Sequence, residues 1–217
     1  MLLTRASRAV TLMIGLCACV TKAHKEDLDC QLTLLKDCNE NFKAVFVAAK
    51  DISLADAYCR AFEGYAKKLT EDDCGGKIID LDRNMIYQHM AMDGKAGVCN
   101  YGSDFELLKE RVRAIKKYKK EVKLFENTEI DSCSVEAHLT CSKEFKTSFH
   151  RSDVMFCDSI NRFVECYEIE LKNACDKVPK MAKEFLKTLE KVGKELLKIF
   201  KKTGTMPGGC SSGAEEA

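Results

Sequence analysis

The chain has 217 residues, with 35 Lys and Arg against 34 Asp and Glu, 13 cysteines, two prolines and no tryptophan. Its net charge of +1 gives no global reason to expect a nucleic-acid partner, and none is expected. It carries no G-x-S-x-G, H-E-x-x-H, P-loop or dinucleotide fingerprint, so no enzyme and no cofactor are expected.

Residues 1–23 have the layout of a secretory signal. Arg5 and Arg8 precede an apolar run from Val10 to Val20, and Ala23 supplies the small residue before a cleavage point. That run is about eleven residues, too short to span a bilayer. The expected mature chain is secreted and extracellular. It keeps eleven cysteines and carries 32 basic against 34 acidic residues. Cysteine at this density in an oxidising compartment reads as a disulfide framework.

The motif Cys30-x7-Cys38-x3-Phe42-x3-Phe46 returns as Cys133-x7-Cys141-x3-Phe145-x3-Phe149. Cys59, Phe62 and Tyr65 are likewise matched by Cys157, Ile160 and Phe163. Shared spacing argues for an internal duplication. Leu34, Phe42, Val45 and Phe46 fall at helical intervals, and Ser53-x-x-Asp56 looks like the cap of a second helix reaching Leu69. The same hairpin is expected from Cys133 to Phe149 and from Val154 to Cys175, turning at His150 to Asp153.

Residues 75–98 form an insertion without a counterpart, expected as a short helix covering the first hairpin, with Met85 and Met90 as core filler. Ser103-x-x-Glu106 reads as a capping box for one long helix to Glu126. Its counterpart follows Pro179, with Met181, Phe185, Leu189, Val192, Leu196 and Ile199 in one stripe. The resulting expectation is all-α: disulfide-stapled helical hairpins in two duplicated copies, each followed by a long amphipathic helix. The units are a signal peptide (1–23), copy 1 (24–127, with the 75–98 insertion), copy 2 (128–203) and a flexible tail (204–217).

The framework cysteines are Cys30, Cys38, Cys59, Cys74 and Cys99, then Cys133, Cys141, Cys157, Cys166 and Cys175. Partners in an antiparallel hairpin lie about equally far from its turn, which favours Cys30–Cys74 and Cys133–Cys175. For the inner pairs two schemes stand. Duplication favours Cys38–Cys59 and Cys141–Cys157, with Cys99–Cys166 joining the copies. Register favours Cys141–Cys166, leaving Cys157 for Cys99. The duplication scheme is preferred. Cys210 remains as a free thiol or as the joint of a disulfide-linked dimer.

Residues 176–202 carry nine lysines and four acids, and 105–126 carry eight basic residues and four glutamates. Lys183, Phe185, Lys187, Leu189, Lys191, Lys194, Leu196, Lys198 and Phe200 outline a face for a protein partner or an anionic lipid surface. Packing of that helix on the acidic hairpins is the plainer expectation. His24, His89, His138 and His150 read as ordinary histidines, and no metal site is expected. Tyr58-Cys59 and Phe156-Cys157 open the second helix of each hairpin. In these features, over roughly residues 30–175, the chain resembles secreted cysteine-rich helical domains of unknown function found in nematode and arthropod proteins. That resemblance implies secretion and no particular activity. The functional expectation is a non-enzymatic extracellular module that binds a protein partner, with a carrier of an apolar ligand, or a membrane-active protein using residues 180–202, as the alternative.

Overall fold

The computed structural model describes residues 28–46, 48, 52–149 and 156–203. The signal segment, the tail with Cys210, His24 and the His150–Asp153 turn lie outside them, as do the side chains of Cys157 and Phe200. The fold is all-α: α1 (28–46), α2 (Leu54–Glu71), α3 (Lys77–Lys95), α4 (Ser103–Ala114), α5 (Lys119–Asn127), α6 (Ser132–Phe149), α7 (Phe156–Ala174) and α8 (Lys180–Thr203). No helix among the described residues is long and apolar enough to cross a membrane.

Helix ends are set both by local caps and by side chains from neighbouring helices. Ser53 Oγ accepts the Asp56 N–H at 3.0 Å and caps α2 as its spacing predicts. The other end of α2 is closed from a distance. Arg83, on α3, donates from Nε to the Leu69 carbonyl at 2.9 Å and from one terminal nitrogen to Asp72 and Cys74. Those of Leu69 and Asp72 are carbonyls that a helix end leaves without partners. The start of α3 is held by α1, where Gln31 Oε1 accepts the Ile78 N–H at 3.1 Å. The chain enters α3 through Gly76 at φ 139°, and a Cβ there would meet the Gln31 amide at 2.3 Å. Only glycine suits both the angle and the approach.

Residues 75–98 do not form a short cover. They hold α3, a 19-residue helix with fourteen buried residues that packs against α2, α4, α5 and α8. A helix surrounded in this way needs no polar stripe, and its place in the fold is central. Two further expectations are corrected. Ser103 is the first residue of α4 rather than its cap; Gly102 precedes it and donates its N–H to Glu63 Oε1 at 2.9 Å. The expected single helix to Glu126 also breaks. Ile115 adopts ψ 108°, a 3-10 turn covers Lys116–Tyr118, and α5 follows. The break lets Tyr118, Val122 and Phe125 all bury.

Four disulfides staple the described residues: Cys30–Cys74, Cys59–Cys99, Cys133–Cys175 and Cys141–Cys166. The outer bridge of each hairpin is the expected one. The inner pairing of the duplication scheme is overturned: Cys38 is an unpaired, buried thiol, and Cys59 pairs with Cys99. Register explains it. With Cys30 bonded to Cys74 the antiparallel midpoint lies at 52, which sets residue 38 opposite residue 66, about 10 Å along the helix from Cys59. A disulfide tolerates no such offset. In the second hairpin the same reasoning sets 141 opposite 167, and the bridge to Cys166 follows with a Cα–Cα distance of 5.7 Å. The expected Cys99–Cys166 link between copies is absent, because both cysteines are bonded within their own halves.

Candidate functional site

The basic α8 gives the first test of where a site lies. Met181, Phe185, Val192 and Ile199 are buried, Leu189 and Leu196 half-buried, and the helix lies against α3. Lys183, Lys187, Lys194 and Lys198 point outward, and Lys191 is half-exposed. Several are paired: Lys187 with Glu184 at 3.1 Å, Lys194 with Glu190, Lys198 with Glu195 at 3.6 Å and Lys191 with Glu121 at 3.9 Å. The apolar and basic sides of the expected face thus look in opposite directions. The apolar side is core.

That core contains an unusual polar cluster at the junction of α2, α3, α6 and α7. Asp93 is its hub. Oδ1 lies 2.7 Å from His138 Nε2 and 3.2 Å from the Tyr58 hydroxyl, while Oδ2 accepts from the Tyr101 hydroxyl at 2.6 Å and lies 3.3 Å from His89 Nε2. Tyr58 Oη is also 2.7 Å from His89 Nε2, and Tyr167 Oη contacts His138 Nδ1. Asp93, Tyr58, His138 and Tyr167 are fully buried, and His89 is 2 % exposed.

Proton counting constrains the hydrogens. A carboxylate only accepts, so His138 Nε2 carries a proton toward Asp93, while its Nδ1 meets the Tyr167 hydroxyl. Tyr101 donates to Oδ2. Tyr58 has one proton, with Asp93 Oδ1, His89 Nε2 and, at 3.4 Å, Ser142 Oγ within its reach. A bare His89 Nε2 would set its lone pair against Asp93 Oδ2, so the arrangement that satisfies every contact has His89 protonated at Nε2 and Tyr58 donating to Oδ1. Burial drives the His89 pKa down to about 4, with Asp93 opposing and His138 adding to the fall, so the ring is neutral. Burial pushes the Asp93 carboxyl up, but the neighbouring imidazoles and the hydrogen bonds from His138 and Tyr101 outweigh it and hold the group below its ordinary value. The four donors hold one ionised carboxylate in a dry interior.

His89 has a second nitrogen, and Nδ1 has no hydrogen-bond partner among the described residues. The same ring lies on the wall of a cavity of about 80 Å³. The buried part of the wall includes Phe42, Phe62, Phe145 and Phe185, and the imidazole rests 4.4 Å from the Phe62 centroid and 5.2 Å from that of Phe163. Asn39, Met85, Val164 and Leu189 also line it and are half-exposed. They form a mouth between α1, α3, α7 and α8. A wider surface cleft of about 540 Å³ lies beside Tyr87, Tyr101 and Phe105. Among its charged residues Lys109 pairs with Glu106 and Glu126 with Arg113, and Lys95 also lines it.

Compared with known protein families, curated proteins and solved structures, the chain finds no match.

The sequence expectation named His89 and His138 but did not join them. They are 49 positions apart, and Asp93 stands 45 before His138. One signal was available. His89 and Asp93 are an i,i+4 polar pair amid the apolar residues of α3, a placement that needs internal partners.

Proposed function

We propose that this protein is a non-enzymatic carrier of a small apolar ligand, working outside the cell. The observation that carries the reading is the phenylalanine-walled cavity with its half-exposed mouth on four helices. An apolar void of about 150 Å³ in an engineered protein stays dry and admits benzene. The cavity here takes a slimmer group, or the end of a longer chain that leaves through the mouth. Four disulfides support an oxidising compartment, and they hold the cavity walls at fixed spacing. The Tyr–His–Asp–His cluster supports a structural role rather than catalysis. It is buried, each of its protons is spent inside the network, and its only nitrogen without a partner is His89 Nδ1 at an apolar wall.

The reading displaces a protein partner from first place because the apolar stripe of α8 is occupied by α3. Among the described residues, the large apolar side chains left exposed, Leu107, Leu139, Ile169 and Leu197, sit on four different helices. The deciding experiment is thermal unfolding of the non-reduced protein with short linear aliphatic ligands. At about a hundredfold excess over Kd, a carrier gains roughly 5–10 °C in Tm. Val164→Trp, at the mouth, should abolish that gain while leaving the unliganded Tm nearly unchanged. A flat Tm across the ligand set would end the carrier reading.

A further inference from the structure

We infer that the outward face of residues 116–123 is a docking surface for a linear sulfated polysaccharide. It is separate from the cavity and does not depend on the carrier reading. Lys116, Lys119, Lys120 and Lys123 are all exposed, and among the described residues none of the four has an ion pair or a hydrogen bond. Neighbouring basic residues are matched: Lys109 by Glu106, Arg111 by Asp73 at 3.4 Å, Arg113 by Glu110 and Lys117 by Asp80 at 3.6 Å. The one acid in the run, Glu121, turns inward. Its Oε2 accepts from Asn84 and Gln88 on α3, and its Oε1 lies 3.9 Å from Lys191 on α8.

This placement works against the helix that carries it. Lys119 and Lys120 open α5, where the dipole favours negative charge. Lys123 follows at spacings of four and three, so like charges meet on one side of the helix. Val122 and Phe125 bury the opposite side, which leaves the three lysines on one outward arc. An anion lying along that arc removes the repulsion. The surroundings choose among anions. A bilayer needs apolar side chains to enter its acyl boundary, and single-stranded nucleic acid needs aromatic faces on which bases stack. The arc offers neither, because Tyr118, Val122 and Phe125 are buried. Bare ammonium groups suit a partner recognised through charge density alone. The four disulfides favour an oxidising, extracellular setting, in which sulfated sugar chains supply such anions.

The test uses the non-reduced protein and three probes: a heparin decasaccharide, a single-stranded oligothymidylate, and vesicles of phosphatidylcholine and phosphatidylserine in equal parts. One variant combines Lys116→Gln, Lys119→Gln, Lys120→Gln and Lys123→Gln, since glutamine keeps the helix preference of lysine. A control removes the same charge from α8, at the exposed Lys180, Lys183, Lys194 and Lys198. Heparin should bind tightest of the three probes. The first variant should lose about tenfold or more in affinity, and its plot of log K against log salt should flatten by about 3 for four lost contacts. The control should stay within about threefold of wild type. Equal losses in the two variants mean that net charge alone is at work, and overturn the surface. Vesicles or oligothymidylate binding more tightly than heparin overturns the polysaccharide, and no heparin binding at about 0.15 M salt overturns the inference outright.

Discussion

Asp93 Oδ1 and His138 Nε2 are 2.7 Å apart, and both side chains are completely buried. Asp93 belongs to the central helix and His138 to the second disulfide-stapled hairpin, so this contact ties the two halves of the molecule through one charge. Replacing the carboxylate puts an amide N–H₂ where donors already converge. Asp93→Asn is expected to lose about 3–5 kcal/mol in urea unfolding, the cost of breaking a buried charged network. Tyr101→Phe, which removes one donor at 2.6 Å, should lose about 1–2 kcal/mol. If the asparagine variant is no worse than the phenylalanine one, Asp93 is not the hub.

Two buried groups on α3 give opposite pH dependences. Burial lowers the pKa of His89 to about 4, against about 6.5 in an unfolded chain. Between those values the unfolded chain binds more protons, so this contribution weakens as pH falls from about 6.5 toward 4. Asp82 is raised to about 7, mainly by burial, with the Tyr65 hydroxyl and Arg83 opposing; its unfolded value is about 3.9. Here the folded chain binds more protons, and stability weakens as pH rises from about 4 through 7. The two slopes oppose each other over the same window. The wild-type protein should show a shallow profile between about pH 4.5 and 6.5. Asp82→Asn keeps an acceptor for Tyr65 Oη, at 3.1 Å in the wild type, and removes one slope. Its stability should then climb with pH by on the order of 3 kcal/mol across the His89 window. Urea midpoints at several pH values check this, and an unchanged profile would contradict it.

The end of α2 offers a test of long-range capping. Arg83 donates to the carbonyls of Leu69, Asp72 and Cys74 from a side chain only 6 % exposed. Arg83→Met keeps most of the apolar stem but leaves three carbonyls short of a donor, at an expected loss of about 2–4 kcal/mol. Amide exchange should localise it. Protection falls first in the last turn of α2, whereas a general loss of packing would lower it evenly along α3.

Much of this architecture was readable where a helix shows one apolar side. Phe42 and Phe46, or Met181 through Ile199, announce their helices by spacing, and the outer disulfides follow from equal distance to a turn. The centre was not readable in that way. Being buried on all sides, α3 has no stripe to detect, and its polar residues Asp82, Arg83, Asn84, Gln88, His89 and Asp93 make it look like an exposed insertion. The cluster was hidden because its members come from four helices and the loop before α4, joined by tertiary contact alone. The same holds for the inner cysteines. Equal spacing in two copies suggested equal pairing, but spacing along the chain does not fix which residues face each other across a hairpin.

The thiol of Cys38 turns that last point into a prediction. It is fully buried beside Tyr65 and the Asp82 carboxyl, and burial together with nearby acids pushes its pKa far above that of a free thiol. Attack by iodoacetamide needs the thiolate, so native protein should leave Cys38 unmodified and guanidinium-unfolded protein should alkylate it fully. Peptides from the non-reduced chain should link Cys59 to Cys99 and Cys141 to Cys166. Removing the first of these with Cys59→Ala and Cys99→Ala together opens a loop of 40 residues, at a cost of about 3–4 kcal/mol in the chain-entropy account. Cys38→Ala costs only the packing of a small buried side chain, about 1 kcal/mol. A peptide joining Cys38 to Cys59 would reverse both expectations, and would require α1 to slide two helical turns along α2.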